Sequence, residues 1–308
     1  MKVLVTGGAG FIGSHLVERL LLGGVSVSVV DDFSSGREAN LVGVAGHHSL
    51  QVLHKPVSAL TVAELEPPAA IVHLASIPSA AQSWQSPLAA HEANLSSTVH
   101  LLDLAARWRC RTFVLASSAA VYGNAEVPVR ETAACQPQSP YGLHKLASEE
   151  YLRLLAPRAG MQAVNLRLFN VYGPRQRADS EYAGVISRFA HAALANQPMR
   201  ICGDGQQTRD FVHVDDVIES IMQSLEVSPA AADLRLNIGS GRAVSIDQLA
   251  RMLARGAAST AGAVHIDARE GDIRHSCADI SRAAQVLGYR PAVTLEQGTA
   301  RLLDALRG

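Results

Sequence analysis

A chain of 308 residues with 48% hydrophobic and 18% charged side chains is long and apolar enough for one large or two modest packed domains, and it is not a disordered chain. Its 27 Lys and Arg nearly balance 28 Asp and Glu, for a formal net charge of −1, so neither nucleic acid nor an anionic membrane is expected as a partner. The four cysteines lack metal or disulfide spacing and no apolar run reaches about 18 residues, so the expectation is a cytoplasmic protein with reduced thiols, no metal site and no membrane span.

In chain order, Lys2 to Thr6 reads as a short aliphatic strand, and Gly7, Gly10 and Gly13 punctuate a tight turn into the helical pattern FIGSHLVERLLL. No charged lead or small-residue cleavage site marks this start as a signal peptide. Strand-like runs come next: VSVSVV ending at Asp31, AAIVHLA ending near Ala75, TFVLAS leading to Ser118, and AVNLRLFNV ending near Val171. Amphipathic patterns over 87–107 and 142–155 lie between them. Strands alternating with helices imply α/β architecture with a doubly wound parallel sheet, whose ligands bind at the carboxyl ends of the strands. Beyond Asn170 the pattern loosens into a Gly- and Pro-marked loop, a helix-like stretch and the turn GDGQQTRD. The expectation is a dinucleotide-binding Rossmann domain over 1–170 and a smaller mixed α/β substrate lobe over 171–308, with some chain crossing back.

A strand, a glycine turn and a helix N-terminus together make an anion site, because bare backbone N–H groups and the helix dipole both favour a phosphate. Asp31 stands 18 positions after Gly13, where a dinucleotide site needs a carboxylate for the ribose hydroxyls. That charge repels the extra phosphate of NADP, so NAD is the expected cofactor in spite of Arg37 nearby.

In SPYGLHKLASEEY, Tyr141 and Lys145 are four apart on a helical pattern and so share a face. A free phenol titrates near 10 and is a poor base at neutral pH. A neighbouring cation, with a positively charged nicotinamide opposite, favours the phenolate and suits the tyrosine to proton transfer. The histidines His47, His48, His54, His73, His91, His100 and His213 lack zinc spacing and read as surface or strand residues.

Taken in order, TGGAGFIG, SSAAVYG, SPYGLHK, RLFNVYGP, GDGQQTRDFVHVDD, NIGSG and REGDIRHSCADI resemble the extended short-chain dehydrogenase/reductase superfamily, in particular its nucleotide-sugar epimerases of the UDP-glucose 4-epimerase type. The likeness runs over nearly the whole chain. It implies Tyr141 as catalytic acid/base, Lys145 as its tuning and ribose-binding partner, and Ser118 as the holder of the sugar hydroxyl. It implies NAD held by Gly7, Gly10, Phe11, Ile12, Gly13, Asp31, Asp32, Ser35, Gly36, Leu74, Ala75 and Asn94, with Tyr141 and Lys145. It implies a UDP-sugar substrate held by Ser118, Tyr141, Asn170, Val185, Arg209, Arg269, Asp272 and Ser276. The implied reaction oxidises the sugar at C4, lets the 4-keto sugar turn about its diphosphate anchor, and reduces the other face. A homodimer through helices of the cofactor lobe is implied as well.

The two positions after Ser118 indicate the branch. Related 4,6-dehydratases carry an Asp-Glu pair there, and decarboxylating relatives a glutamate, where this chain has Ala119 and Ala120. Epimerisation needs neither. Hexose-specific members place a tyrosine seven residues after the REGD arginine, and here that place is Ser276, which leaves room for an N-acetyl group. The expectation is therefore 4-epimerisation of UDP-GlcNAc/UDP-GalNAc as well as UDP-glucose/UDP-galactose. The alternatives are a UDP-glucuronate 4-epimerase, with Arg274 reading a carboxylate, and a dehydratase or 4-keto reductase. A sensor or scaffold on the same fold is the non-enzymatic alternative. Two departures concern the cofactor: Pro56 stands where an adenine-contacting aspartate is usual, and SIPSAAQSW lacks the usual basic residue.

Overall fold

The computed structural model describes residues 1–177, 184–227, 233–268 and 273–307. Strand β1 (Lys2–Thr6) feeds helix α1 (Phe11–Leu22), and β2 (Ser26–Asp31) and β3 (Leu50–His54) come after it. After β4 (Ala70–His73) come α2 (Ala80–Gln85), α3 (Pro87–His91), a π-turn over Glu92–Ser96 and α4 (Ser97–Arg107). Strand β5 (Thr112–Ser118) leads through a 3₁₀ turn (Ala119–Val121) to α5 (Pro140–Leu155), β6 (Gln162–Leu168) and β7 (Asn170–Tyr172). The remainder comprises α6 (Val185–Leu194), β8 (Met199–Cys202), β9 (Thr208–His213), α7 (Val214–Glu226), β10 (Asp233–Ile238), β11 (Ala243–Ser245), α8 (Ile246–Ala257), β12 (Ala263–Ile266), α9 (Ser281–Leu287) and α10 (Leu295–Arg307).

Among the described residues the main sheet has seven strands in the order β10-β6-β5-β4-β1-β2-β3, and every pair is parallel. Its central strands β1 and β4 are buried on both faces, as strands covered by helices on both sides require. Val3 and Val5 pack with Leu16, Val17 and Leu20 of α1 and Val217 and Ile221 of α7. Leu4, between them, points into the opposite layer with Leu101, Leu102 and Leu104 of α4 and Leu152 of α5. A β11-β9-β7 sheet and a β12-β8 pair form the smaller mixed part, where α6, α8 and α10 close a third core around Phe189, Leu249 and Leu302.

The run AVNLRLFNV divides where the sequence reads as one strand. Strand β6 ends at Leu168, the Phe169 N–H turns to the carbonyl of Ile238, and Asn170–Tyr172 pair instead with β9. The helical pattern over 87–107 is likewise interrupted by the π-turn. Apolar periodicity does not register which sheet a strand joins, nor a single extra residue in a helical turn.

Candidate active site

The glycine turn works by close approach. Gly7 has φ +70°, and a Cβ there would lie 2.8 Å from the Ala75 nitrogen, while one on Gly13 would lie 2.1 Å from the Gly7 carbonyl oxygen. The end of β1 thus packs against Leu74 and Ala75, just past β4, and α1 starts directly on the turn. Gly10 caps α1 without a side chain, so the first-turn amides of Phe11, Ile12 and Gly13 and the positive end of the dipole are left for an anion. The cradle fits a dinucleotide phosphate.

Asp31 is buried, and its carboxylate accepts from the Ala9 and Phe33 amides, both at 2.8 Å. Burial pushes its pKa up and the two backbone donors oppose that. Each oxygen keeps acceptor capacity for a ribose hydroxyl, so Asp31 both anchors the turn and presents charge. Gly36 lies against it, since a Cβ there would stand 2.9 Å from Asp31 Oδ1. Asp32 is exposed, with Oδ1 accepting from the Ser34 amide and hydroxyl, and the Ser35 carbonyl accepts from Arg177 at 3.4 Å. Asn94, in the π-turn, spends its amide on the loop after β4: Oδ1 accepts from the Ile77 N–H at 2.7 Å and Nδ2 donates to its carbonyl at 3.1 Å. Its place is beneath the loop that follows β4.

Helix α5 is set by its first turn. The Ser139 hydroxyl accepts from the Gly142 N–H at 3.1 Å, Pro140 occupies the first helical position, and the Tyr141 N–H donates to Ser83 Oγ at 3.0 Å. A Cβ on Gly142 would lie 2.6 Å from the Ala120 oxygen, so glycine lets the helix press on the strand end. The Lys145 ammonium donates to the Ala116 carbonyl at 2.8 Å and lies 5.8 Å from the Tyr141 ring centre. Ser118 Oγ accepts from the Ala120 N–H at 3.1 Å, and its hydroxyl pulls the Tyr141 phenol down.

The sequence leads one to expect a phenolate favoured by Lys145 together with a positively charged nicotinamide; in the protein by itself burial raises the Tyr141 pKa, with the Ser118 hydroxyl opposing. Lys145 itself is lowered to about 8 by burial, with Glu149 opposing. Low dielectric favours the neutral form of each group. His73, which reads from sequence as a bland strand residue, sits between Thr6 Oγ1 at 2.7 Å and Thr98 Oγ1 at 3.0 Å, its pKa lowered to about 3 by burial and then by Lys145.

Two residues past Leu168, the register partner of Ser118, Asn170 at the start of β7 lines a cavity of about 260 Å³. Three residues read from the sequence, Asn170, Val185 and Arg209, meet in its wall. Arg188, Phe189, Arg200, Ile201, Cys202, Gln207 and Ile246 complete it, and sequence reasoning misses them because they come from separate elements with no shared motif. Gln207 is 8% exposed; its Nε2 donates to the Cys202 carbonyl at 2.7 Å and its buried Oε1 has no hydrogen-bond partner. Ser276 is half-buried beside β9, where its N–H donates to the Thr208 carbonyl at 3.1 Å, and it does not line this cavity. Arg274 is engaged bidentately by Asp204, at 2.7 and 2.8 Å, with both side chains exposed. Arg269 and Asp272 lie outside the described residues. Among the described residues no cluster of three His, Cys, Asp or Glu could hold a metal, and no helix is long and apolar enough to cross a membrane.

The family model of the NAD dependent epimerase/dehydratase family matches residues 3–239. A UDP-glucose 4-epimerase of Mycolicibacterium smegmatis is 36% identical over 313 residues, covering 100% of this chain and 99% of the relative. The structure of a UDP-N-acetylglucosamine 4-epimerase from Methanobrevibacter ruminantium, in complex with UDP-N-acetylmuramic acid, superposes with TM-score 0.95 at 31% identity, covering 99% of this chain and 98% of that one. A UDP-glucuronic acid 4-epimerase from Bacillus cereus, in complex with UDP-glucuronic acid and NAD, gives TM-score 0.93 at 31% identity, covering 100% and 99%.

Proposed function

The chain belongs to the NAD dependent epimerase/dehydratase family, and from that premise we propose that it interconverts UDP-GlcNAc with UDP-GalNAc and UDP-glucose with UDP-galactose. It is a UDP-sugar 4-epimerase, an isomerase whose cofactor is NAD. The observation that carries the epimerase reading is the seating of Tyr141 and Lys145 on one face of α5, against a strand that ends in Ser118, and the inclusion of N-acetylated sugars rests on the small side chain of Ser276.

Each residue then has a role. Gly7, Gly10 and Gly13 would cradle NAD with Asp31 at its ribose, and the bound cofactor would supply the hydride acceptor and donor. Ser118 holds the sugar hydroxyl at C4. Tyr141 takes that proton through its phenolic oxygen and returns it when the opposite face of the 4-keto sugar is reduced, so the two half-reactions balance. Lys145 provides the positive charge that a phenolate needs. Arg188, Arg200 and Arg209 all line the cavity, a cationic set suited to a diphosphate. The orphaned Gln207 oxygen fits an N–H donor such as that of a uracil ring. A substrate gripped by its diphosphate leaves its hexose free to turn.

Alanine at positions 119 and 120 supports epimerisation over dehydration. The two residues form a 3₁₀ turn capped by Ser118, and neither can move a proton. In this reading residues 1–170 carry NAD and 171–308 the nucleotide sugar, with β10 returning to the first sheet. A second copy of the chain fits the exposed apolar side chains Trp84, Leu88 and Leu143, at 65%, 71% and 55% exposure on neighbouring helices, and light scattering of the purified protein tests this.

The deciding experiment incubates the purified protein with each UDP-sugar separately, without added cofactor, and resolves the C4 epimers. Both sugar pairs are expected to equilibrate. Stoichiometric consumption of added NADH without epimer formation would instead make it a net reductase.

A further inference from the structure

Tyr141, Lys145 and Glu149 succeed one another at intervals of four along α5 and so share a face. Glu149 is 0% exposed, and its oxygens are fully engaged. The Ser117 hydroxyl and Arg167 Nε (3.0 Å) donate to Oε1, and Arg167 Nη2 (2.7 Å) donates to Oε2. Ser117 and Arg167 are register partners across β5 and β6. Three consecutive residues at the end of β5 therefore address three residues on one helix face: Ala116 meets Lys145, Ser117 meets Glu149, and Ser118 meets Tyr141. Arg167 is braced behind this, stacked 4.8 Å from the Tyr122 ring centre, and the Tyr122 hydroxyl donates to Asn237 of β10 at 2.6 Å.

We infer that Glu149 is a positioning residue for the Tyr141–Lys145 pair, docking the reactive face of α5 onto the end of β5 through Ser117 and Arg167. This rests on Tyr141 and Lys145 being the reacting pair, as proposed above. A buried ion pair is a poor way to gain stability, since apolar groups of the same volume commonly do as well. Here its geometry serves another end. The fork of Arg167 fixes both carboxylate oxygens, so Glu149 cannot rotate, and the helix is pinned one turn beyond Lys145. The groups facing Lys145 are Tyr141 and Glu149 from α5 and His73 from β4, with Arg167 of β6 behind Glu149 and Arg235 of β10 3.8 Å from its Oε2. His73 is neutral, so the carboxylate is the anionic charge acting on that ammonium.

The test compares S117A, E149Q and the paired change E149Q/R167Q in the full chain loaded with NAD, with Y141F alongside. S117A keeps the ion pair and its fold; kcat is expected to fall about fivefold with KM within about twofold, because a slight misplacement of reacting groups is costly to turnover. In E149Q, or in E149Q/R167Q where the single change unfolds, kcat should fall about tenfold with KM nearly constant. Its alkaline limb should move about one pH unit lower, as Lys145 loses a nearby opposite charge. E149D, which restores the charge, should bring that limb back. Parental kcat in S117A, or a folded Glu149 variant with the parental pH profile, overturns the inference. Full turnover in Y141F fails the reacting-pair reading itself, and is told apart because Glu149 plays no part in it.

Discussion

The Lys145 ammonium lies 5.8 Å from the centre of the Tyr141 ring, one turn along α5, with its donor directed to the carbonyl of Ala116. Burial pushes both groups toward their neutral forms, raising the phenol and lowering the amine to about 8. The pair is therefore held at an electrostatic cost, which is the usual mark of groups kept for chemistry.

Replacing Tyr141 by Phe removes the phenolic oxygen and little else. Turnover of UDP-sugars should fall by about 10²–10⁴, the range for loss of a positioned acid/base. Calorimetric titration with UDP-sugar should still show binding, because the cavity is lined by other residues.

The buried lysine has a stability consequence whose sign is fixed. Its folded pKa, about 8, lies below the free value of 10.5, so between those values the unfolded chain binds more protons and stability rises with pH. Below about 8 the full cost of holding the amine is present. Lys145→Met should remove this dependence. Urea unfolding of wild type minus K145M should change by about 2–3 kcal/mol between pH 7 and 10.5, in favour of wild type at the alkaline end, while K145M loses activity. A flat difference would mean that the amine is not depressed.

Gln207→Met leaves the volume of the side chain nearly unchanged but removes the buried acceptor. Dissociation constants for UDP and for UDP-sugars should both rise about tenfold, the worth of one buried hydrogen bond, with kcat little changed. A loss confined to kcat would place Gln207 at the reacting sugar and not at the nucleotide.

Ser276→Tyr should suppress turnover of UDP-GlcNAc and UDP-GalNAc while UDP-glucose and UDP-galactose are retained. Bulk next to the sugar 2-position discriminates by the substituent there, on the order of 10–200-fold in kcat/KM per small group. Equal loss on all four sugars would separate Ser276 from the acetyl pocket.

The parts legible in the sequence are those written in short-range pattern. Strand β1 runs over Lys2–Thr6 and α1 over Phe11–Leu22, as the apolar run and the glycine spacing lead one to expect. The phenol and the amine fall on one helix because four residues make about one turn. The Arg274–Asp204 pair is not legible in the sequence, because Asp204 lies 70 residues away in the β8–β9 turn. Arg188 on α6, Arg200 on β8 and Gln207 before β9 give no signal together, since no local spacing relates them.

The amino-acid order alone determined the layered parallel sheet, the phosphate turn, the acidic residue at the second strand and the tyrosine–lysine spacing, because each depends on neighbours within a few residues and on backbone sterics. Tertiary packing alone decided that Arg167 and Ser117 converge on Glu149, that a buried Gln207 oxygen is left unpaired, and that burial raises Tyr141 in the protein by itself. Burial and dielectric are properties of everything packed around a group, and they arise only when distant segments close over it.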